Sequence, residues 1–481
     1  MHISEEPTPA TPFTTAAFSG NVVMLGSGSL GQGVLPLLLR HLRLAPASVL
    51  VVSPGSEGLH VARELGVQTL AAQVTPDNMA ALLRTHLRPG DLLLNLAVDV
   101  SSVALIAWCQ DAGVVYLDAD LGAWPGAQTD PRRSPAERST HALRRSALAL
   151  RARSPDGPTA VLGHGANPGL VSHFVKQALL DLARDLHGYS SEGPTSREGW
   201  ARLAQRLGVR AIHITERDSQ SAARRRKANE FVNTWSVQAL HDQASRPAEL
   251  GWGTHERHFP TEGARHAGEP ASGIYLMRPG AEVRVRSWTP AGGPMHGHLM
   301  AQAEALSIAD HLTIGDPLQP QYRPTVLCAY RPSDDAELSL QELAEHEGRL
   351  PPRRDRLCEE ILTGMVELGV LLVGHPRGAY WYGSRLGIDE ARAACPHNNA
   401  TTLQAAAGVV AGVAWALEHP YRGIVEPDAL PFDQVLGLCR PYLGTLVGQY
   451  TDWTPLADRQ HLFREDIDAN DPWQFKNLRV A

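Results

Sequence analysis

The stretch Val22-Val23-Met24-Leu25-Gly26-Ser27-Gly28-Ser29-Leu30-Gly31 decides the fold. Four successive apolar residues read as a strand buried on both faces, and G-x-G-x-x-G follows it without a gap. Gly26 permits the tight turn and Gly28 lets backbone approach a pyrophosphate. Gly31 lets helix and strand pack closely, and the helix opening at Ser29-Leu30 aims its positive dipole end at the phosphates. Gly26, Gly28, Ser29, Leu30 and Gly31 are therefore expected to bind a dinucleotide. About 20 residues on, an acidic residue commonly holds the adenosine ribose. Here Ser53 stands there, followed by Pro54-Gly55-Ser56-Glu57. Serine can hydrogen-bond to a ribose and no arginine is near to receive a 2′-phosphate, so NAD is expected over NADP.

Working outward, strands are expected at 22–25, 48–52, 92–96 and 114–117, with helices at 30–42, 79–86 and 103–112. Segment 126–138 reads as an exposed loop and 140–153 as a helix. A strand at 159–162 leads into the turn Gly163-His164-Gly165-Ala166-Asn167-Pro168-Gly169. Strand–helix alternation with almost continuously apolar strands is the pattern of an α/β fold, a Rossmann-type doubly wound parallel sheet. From about 186 to 290 loops and short strands are expected to dominate, which suits a second, α+β domain. Residues 1–18 read as a flexible arm.

The 481 residues suggest two or three domains at roughly 150 residues each. Lys and Arg number 44 against 51 Asp and Glu, a formal charge of −7. That mild acidity argues against nucleic acid and suits cationic or small neutral ligands. Five scattered cysteines without C-x-x-C indicate neither a disulfide framework nor a zinc site, so a reduced, cytoplasmic protein is expected. The N-terminus lacks the apolar segment of a signal peptide. The apolar run 403–417 is too short to span a bilayer and reads as a buried helix rich in small residues. No G-x-S-x-G or H-E-x-x-H is present, and His296-Gly297-His298 alone is too little for a metal site, so no metal is expected. Arg224-Arg225-Arg226-Lys227 reads as a solvated loop or a phosphate or partner contact.

Longer motifs are specific. They include Asn95-Leu96-Ala97-Val98-Asp99, Gly165-Ala166-Asn167-Pro168-Gly169 and Ile212-His213-Ile214-Thr215-Glu216-Arg217-Asp218. Phe231-Val232-Asn233-Thr234-Trp235-Ser236, Leu250-Gly251-Trp252-Gly253-Thr254, Val285-Arg286-Ser287-Trp288-Thr289-Pro290 and Ala379-Tyr380-Trp381-Tyr382-Gly383-Ser384 follow. Tyr450-Thr451-Asp452-Trp453-Thr454-Pro455 and Asp471-Pro472-Trp473-Gln474-Phe475 end the series. Together, from about residue 19 onward, these resemble the bacterial homospermidine synthases within the saccharopine-dehydrogenase-like superfamily.

The resemblance implies an unusual use of NAD. Putrescine is oxidised to an imine, ammonia leaves, and an aminobutyl group passes to a second putrescine through a Schiff base. Reduction of that Schiff base gives homospermidine and restores NAD, with no net redox. It also implies a homodimer, and a cofactor domain of residues 19–165 to which about 395–420 returns. Residues 166–394 and 421–481 then form the substrate and dimerisation domain.

A diamine is a flexible dication, so its site needs carboxylates and aromatic faces in a fairly dry pocket. Glu216 is the candidate for holding and deprotonating a substrate amine. The alternative is an ion pair with Arg210 or Arg217. Trp235 can offer its ring face to an iminium, a contact worth about 2 kcal/mol when desolvated, or it can be core. Asn167 sits where ligands of doubly wound folds bind and can orient the nicotinamide or the amine, or be a turn residue before Pro168. Asp99 can touch substrate or cap a helix at Ser101-Ser102. Asn95, Asn399 and Thr401 are expected at the cofactor, with capping as the simpler role for Thr401 or Thr402. Gln302, Glu304 and Gln243 are expected to line the substrate site. Gln302 and Gln243 are departures, since the family pattern has His and Glu there; His296 and His298 can substitute for the imidazole, with ordinary loop histidines as the simpler reading. An acid is also expected where Thr363 or Val366 stands.

Two other readings remain open from sequence. One is a reductase that condenses an amine with a carbonyl and consumes NAD(P)H. The other is a nucleotide-binding relative with impaired catalysis.

Overall fold

The computed structural model describes residues 18–55, 58–188, 193–268, 271–459 and 462–480. The arm up to residue 17, and Ser56 with Glu57, lie outside the described residues. The first sheet is parallel and built from β1 (Val22–Leu25), β2 (Val49–Ser53), β3 (Gln68–Ala71), β4 (Leu92–Asn95), β5 (Val115–Asp118) and β6 (Ala160–Val161). Its order is β3-β2-β1-β4-β5-β6, with Ile424–Val425 as a seventh strand beyond β6. Every residue of β1 and β4 is buried, as a central strand with helices on both faces requires.

Some boundaries differ from the sequence expectation. β2 begins at Val49 because Pro46–Ser48 closes a 3-10 turn. β3 was not anticipated. It is a sheet edge whose residues are half-buried or exposed, so its apolar signal is weak. The helix Thr140–Ala149 ends four residues early, tightening into the 3-10 turn Leu150–Ala152.

The return segment is longer than 395–420. Helix Ala400–Glu418 packs against the fingerprint helix Ser29–Leu42, and the chain then runs on to pair Ile424–Val425 with β6. The expectation that this apolar run is too short for a membrane needs correction. At 19 residues it is long and apolar enough by composition, yet 83% of its most apolar window is buried inside the protein. Its glycines explain the close approach. A Cβ on Gly408 would stand 2.0 Å from the Gly165 carbonyl oxygen, and one on Gly412 would stand 2.9 Å from the His164 ring.

The second sheet has ten strands. At its centre Ala211–Asp218 pairs in parallel with Thr325–Arg331 and antiparallel with Met365–His375. The stretch expected to be mostly loops and short strands thus contains this eight-residue strand, and also the helices Arg197–Leu207 and Val237–Ser245. Helix Leu170–His187 follows the turn after β6 and packs its apolar side on the second sheet. One apolar core therefore runs from β1 through this helix to the second sheet.

In the run Arg224-Arg225-Arg226 the first two side chains are exposed, as a solvated loop requires, and Arg226 is half-buried, but all three are engaged by acids. Arg224 pairs with Glu230, Arg225 with Asp335 and Arg226 with Glu342, pinning the segment to helix Asp334–Glu345 and strand Glu230–Asn233.

His164 and His173 are fully buried, with their Nε2 atoms 3.0 Å apart, and His164 Nδ1 donates to the Gly408 carbonyl at 2.8 Å. Burial lowers the His164 pKa from 6.5 to about 4. The unfolded chain then binds more protons than the native one between those values, so stability rises with pH there. Urea denaturation should show this contribution complete above about pH 7, falling as pH drops through about 6.5, with a shallower fall for His164→Gln.

Candidate active site

The carboxyl edge of the first sheet meets the second at two contacts, Asn167 with Glu216 and Asp120 with Gln243, which mark the candidate cleft. Gly28 is the N-cap of helix Ser29–Leu42 and no side chain caps it. A Cβ on Gly28 would meet nothing within 4 Å, whereas one on Gly31 would press within 2.5 Å of the Gly26 carbonyl oxygen. Gly26 adopts φ +97°, the left-handed region that glycine tolerates. The fingerprint thus leaves open space over unpaired backbone N–H groups at a helix N-terminus, which fits a pyrophosphate. Ser53 Oγ accepts a hydrogen bond from Ser27 Oγ at 2.8 Å, tying the end of β2 to the glycine loop.

On the far wall, Glu216 accepts a hydrogen bond from Asn167 Nδ2 at 3.1 Å. Strand Ala211–Asp218 supplies the first residue and the turn after β6 the second, so the contact spans the two sheets. Neither Arg210 nor Arg217 pairs with Glu216. Arg210 pairs with Asp471, and Arg217 lies on the opposite face of the strand, packed over Gly292. Burial, reinforced by the nearby negative charge of Asp218, raises the Glu216 pKa to about 7.

Asp218 lies two residues on, hence on the same face. It accepts from Thr234 Oγ1 at 2.6 Å, Gln220 N at 2.8 Å, Gln220 Nε2 at 3.1 Å and Thr401 Oγ1 at 3.4 Å. It therefore holds the loop that carries Trp235 and the start of helix Ala400–Glu418. The half-buried Trp235 donates its Nε1–H to Tyr330 Oη at 3.0 Å. Cys328 Sγ lies 3.5 Å from Asn167 Nδ2.

Gln302 Nε2 donates to Gln243 Oε1 at 3.4 Å, and Gln243 Nε2 donates to Asp120 Oδ2 at 3.1 Å. Burial raises the Asp120 pKa against the opposing pull of Arg246. Asp99 is exposed at the end of the first sheet, and Asp242 is close enough to add to the burial effect that raises its pKa. Asp99 is not a cap. Ser101 caps helix Ser102–Ala112.

Three expected contact residues serve the scaffold instead. Glu304 is buried and both its oxygens accept backbone N–H groups, from Gly169 at 2.5 Å and Ser172 at 2.9 Å. It caps helix Leu170–His187 from a distance, since Gly169 has no side chain to do so. Asn399 is buried, caps its own helix, and donates to the Thr234 and Leu357 carbonyls at 2.5 and 3.2 Å. Asn95 is buried, bonding Tyr116 Oη and accepting from Ala97 N. His296 and His298 do not replace an imidazole in the cleft. They sit on strand Gly293–Leu299, where His298 bonds Glu337 at 2.9 Å and the Ala281 carbonyl at 2.7 Å.

Sequence reading missed Asp218, Tyr330, Cys328 and Asp120. Two signals were available: the period of two from Glu216 to Asp218, and the place of Asp120 just past β5 at the carboxyl edge. Tyr330 and Cys328 had none, because their relevance depends on strand register.

The cleft offers acceptors. Asn167 Oδ1 and Gln302 Oε1 are buried without a hydrogen-bond partner; Asn167 bonds the Glu216 carboxyl, and Gln302 is linked to Asp120 through Gln243. Orphaned acceptors with acids select a ligand rich in N–H donors and positive charge.

The chain is similar to known proteins over nearly its whole length. Residues 22–161 match the saccharopine dehydrogenase NADP binding domain, and 165–452 the saccharopine dehydrogenase C-terminal domain. Homospermidine synthase of Blastochloris viridis is 48% identical over 465 residues, covering 96% of this chain and 97% of that one. Homospermidine synthase of Mesorhizobium japonicum is 44% identical over 468 residues, covering 96% of each. The crystal structure of homospermidine synthase from Legionella pneumophila, in complex with NAD, superposes with a TM-score of 0.89 at 42% identity. It covers 96% of this chain and 98% of its own.

Gly31→Val should weaken dinucleotide binding at least roughly tenfold, because its side chain collides with the Gly26 carbonyl. Titration calorimetry with NAD checks this, and wild-type affinity would refute the pyrophosphate placement.

Proposed function

Because the chain belongs to the homospermidine synthases of the saccharopine dehydrogenase family, we propose that its cleft transfers an aminobutyl group between two putrescines, with NAD as cofactor. One putrescine is oxidised at an amine-bearing carbon, the second displaces its ammonia to form a Schiff base, and reduction of that base yields homospermidine. NAD supplies the reversible two-electron exchange when bound, held by Gly26, Gly28, Ser29, Leu30 and Gly31 with Ser53 at the ribose.

The observation that carries this reading is the Glu216–Asn167 contact in an acceptor-lined cleft. A carboxyl titrating near 7 is matched to taking a proton from an ammonium at neutral pH and returning it to departing ammonia. Asn167 fixes that carboxyl, and its unpaired Oδ1 is available to an N–H of the substrate. The Trp235 ring face stabilises the cationic imine and shields it from water. Asp120, through Gln243 and Gln302, and Asp99 receive the distant ammonium. Both amides keep hydrogen-bonding capacity, Gln243 where Glu would add negative charge and Gln302 where His would offer a titratable ring, so the second cation leans more on Asp120.

The same reading takes the protein as a homodimer in the cytoplasm. All five cysteines are free and buried, which supports a reducing compartment.

Turnover on catalytic amounts of NAD, with homospermidine and ammonia as products, distinguishes this transferase from a reductase, which consumes one NAD(P)H per product. Parallel assays with putrescine, cadaverine, diaminopropane and spermidine should favour putrescine. The acidic limb of the kcat/KM profile should rise through about pH 7 as Glu216 loses its proton, since the base acts deprotonated. Glu216→Gln should remove that limb and most of the activity. Trp235→Ala should lower kcat by roughly a factor of thirty, the equivalent of about 2 kcal/mol, with NAD affinity unchanged.

A further inference from the structure

Tyr330 has no place in the reading above, yet it is joined to two residues that do. Strand Thr325–Arg331 runs parallel to Ala211–Asp218 in a register that sets Tyr330 directly beside Glu216. Side chains at paired positions of neighbouring strands share a face, so the phenol and the carboxyl point to the same side of the sheet. Tyr330 is buried at 3% exposure. Its hydroxyl oxygen accepts the Trp235 indole N–H at 3.0 Å, and the rings meet edge to face, with centroids 6.4 Å apart and planes at 69°. Glu216 and Asp218 are both close enough for their charges to act on that hydroxyl.

Trp235 sits on the loop between strand Glu230–Asn233 and helix Val237–Ser245. Its backbone neighbour Thr234 is anchored twice, by its hydroxyl to Asp218 and by its carbonyl to Asn399. Those bonds fix the main chain, and the indole, partly buried against the apolar core, is oriented by what its ring and its N–H meet. An indole has a single polar donor, and here Tyr330 receives it. A cation–π contact depends on which face the ring presents, so the bond that fixes the plane governs the contact.

We propose that Tyr330 is a positioning residue for the transfer reaction. By accepting the indole N–H from the rung that carries Glu216, it holds the Trp235 ring face toward the amine nitrogen that Glu216 deprotonates. The proposal rests on the transferase reading and adds a specificity device to it. A ring locked against the base's own strand accepts a cation only at that nitrogen, and so favours a primary amine at the end of an unbranched chain.

The test is a double-mutant cycle on the full-length protein with NAD saturating and putrescine varied. Tyr330→Phe removes the acceptor and keeps the ring, and Trp235→Phe removes the donor and keeps a smaller aromatic face. Each should lower kcat by roughly tenfold, the effect of one lost hydrogen bond, with NAD affinity within about twofold of wild type. The double variant should be no slower than Trp235→Phe alone, because the two changes break one bond. Losses that multiply, or a Tyr330→Phe protein with wild-type kcat, overturn the proposal. If Tyr330→Phe fails to bind NAD and so has not folded, Trp235→Phe decides alone, and wild-type kcat there overturns it. Wild-type protein that makes no homospermidine refutes the transferase reading together with this one. Active wild type with no coupling refutes only the role of Tyr330.

Discussion

Asn167 and Glu216 come from different sheets, and the 3.1 Å hydrogen bond between them sets where the rest of the cleft must stand. Asn167 is placed by the turn after β6, which is held in turn by Glu304 on the Gly169 and Ser172 amides. Glu216 is placed by the central strand of the second sheet, locked on both edges. Shifting either element would leave a buried carboxyl without its amide, a penalty of about 1–3 kcal/mol or more. The two sheets are thus joined at the point where chemistry is expected, through the same turn that starts helix Leu170–His187.

Two carboxyls on one strand face divide the work through their surroundings. Asp218 accepts from a threonine, a backbone amide, a glutamine and a second threonine. Glu216 accepts from one side-chain amide and lies in the field of Asp218, so burial dominates and its pKa rises to about 7. Burial raises the pKa of Asp218 and Glu304 as well, so what separates the three acids is their partners: Asp218 and Glu304 are spent on structural donors, while Glu216 has one amide donor. Scaffold duty extends to Glu304 and Asn399, polar residues whose side chains are spent on backbone groups at helix starts. Their types match those of ligand-binding residues, and only their partners show the difference.

Much of the first sheet was legible. β1 and most of β4 are apolar runs because both faces are covered, and Gly26 and Gly31, between β1 and its helix, stand where backbone approaches too closely for a side chain. β3 was not legible, because an exposed edge strand has no apolar run to reveal it. In the site, Glu216, Trp235 and Asn167 were marked by motif, whereas Tyr330 and Cys328 looked like ordinary members of a buried strand. Asp120 was one acid among many until Gln243 was seen to reach it.

The amino-acid sequence by itself determined the dinucleotide fingerprint, the alternation that builds the parallel sheet, and the family. Each of these rests on local spacing or on long runs of matching residues. Tertiary structure alone decided that Ile424–Val425 closes the first sheet after a gap of more than two hundred residues, that Tyr330 lies beside Glu216, and that Glu304 caps a distant helix. The reason is physical. Helix and strand periods act within a few residues, while register, capping at a distance and the burial that moves a pKa are properties of surfaces that meet only once the chain has folded.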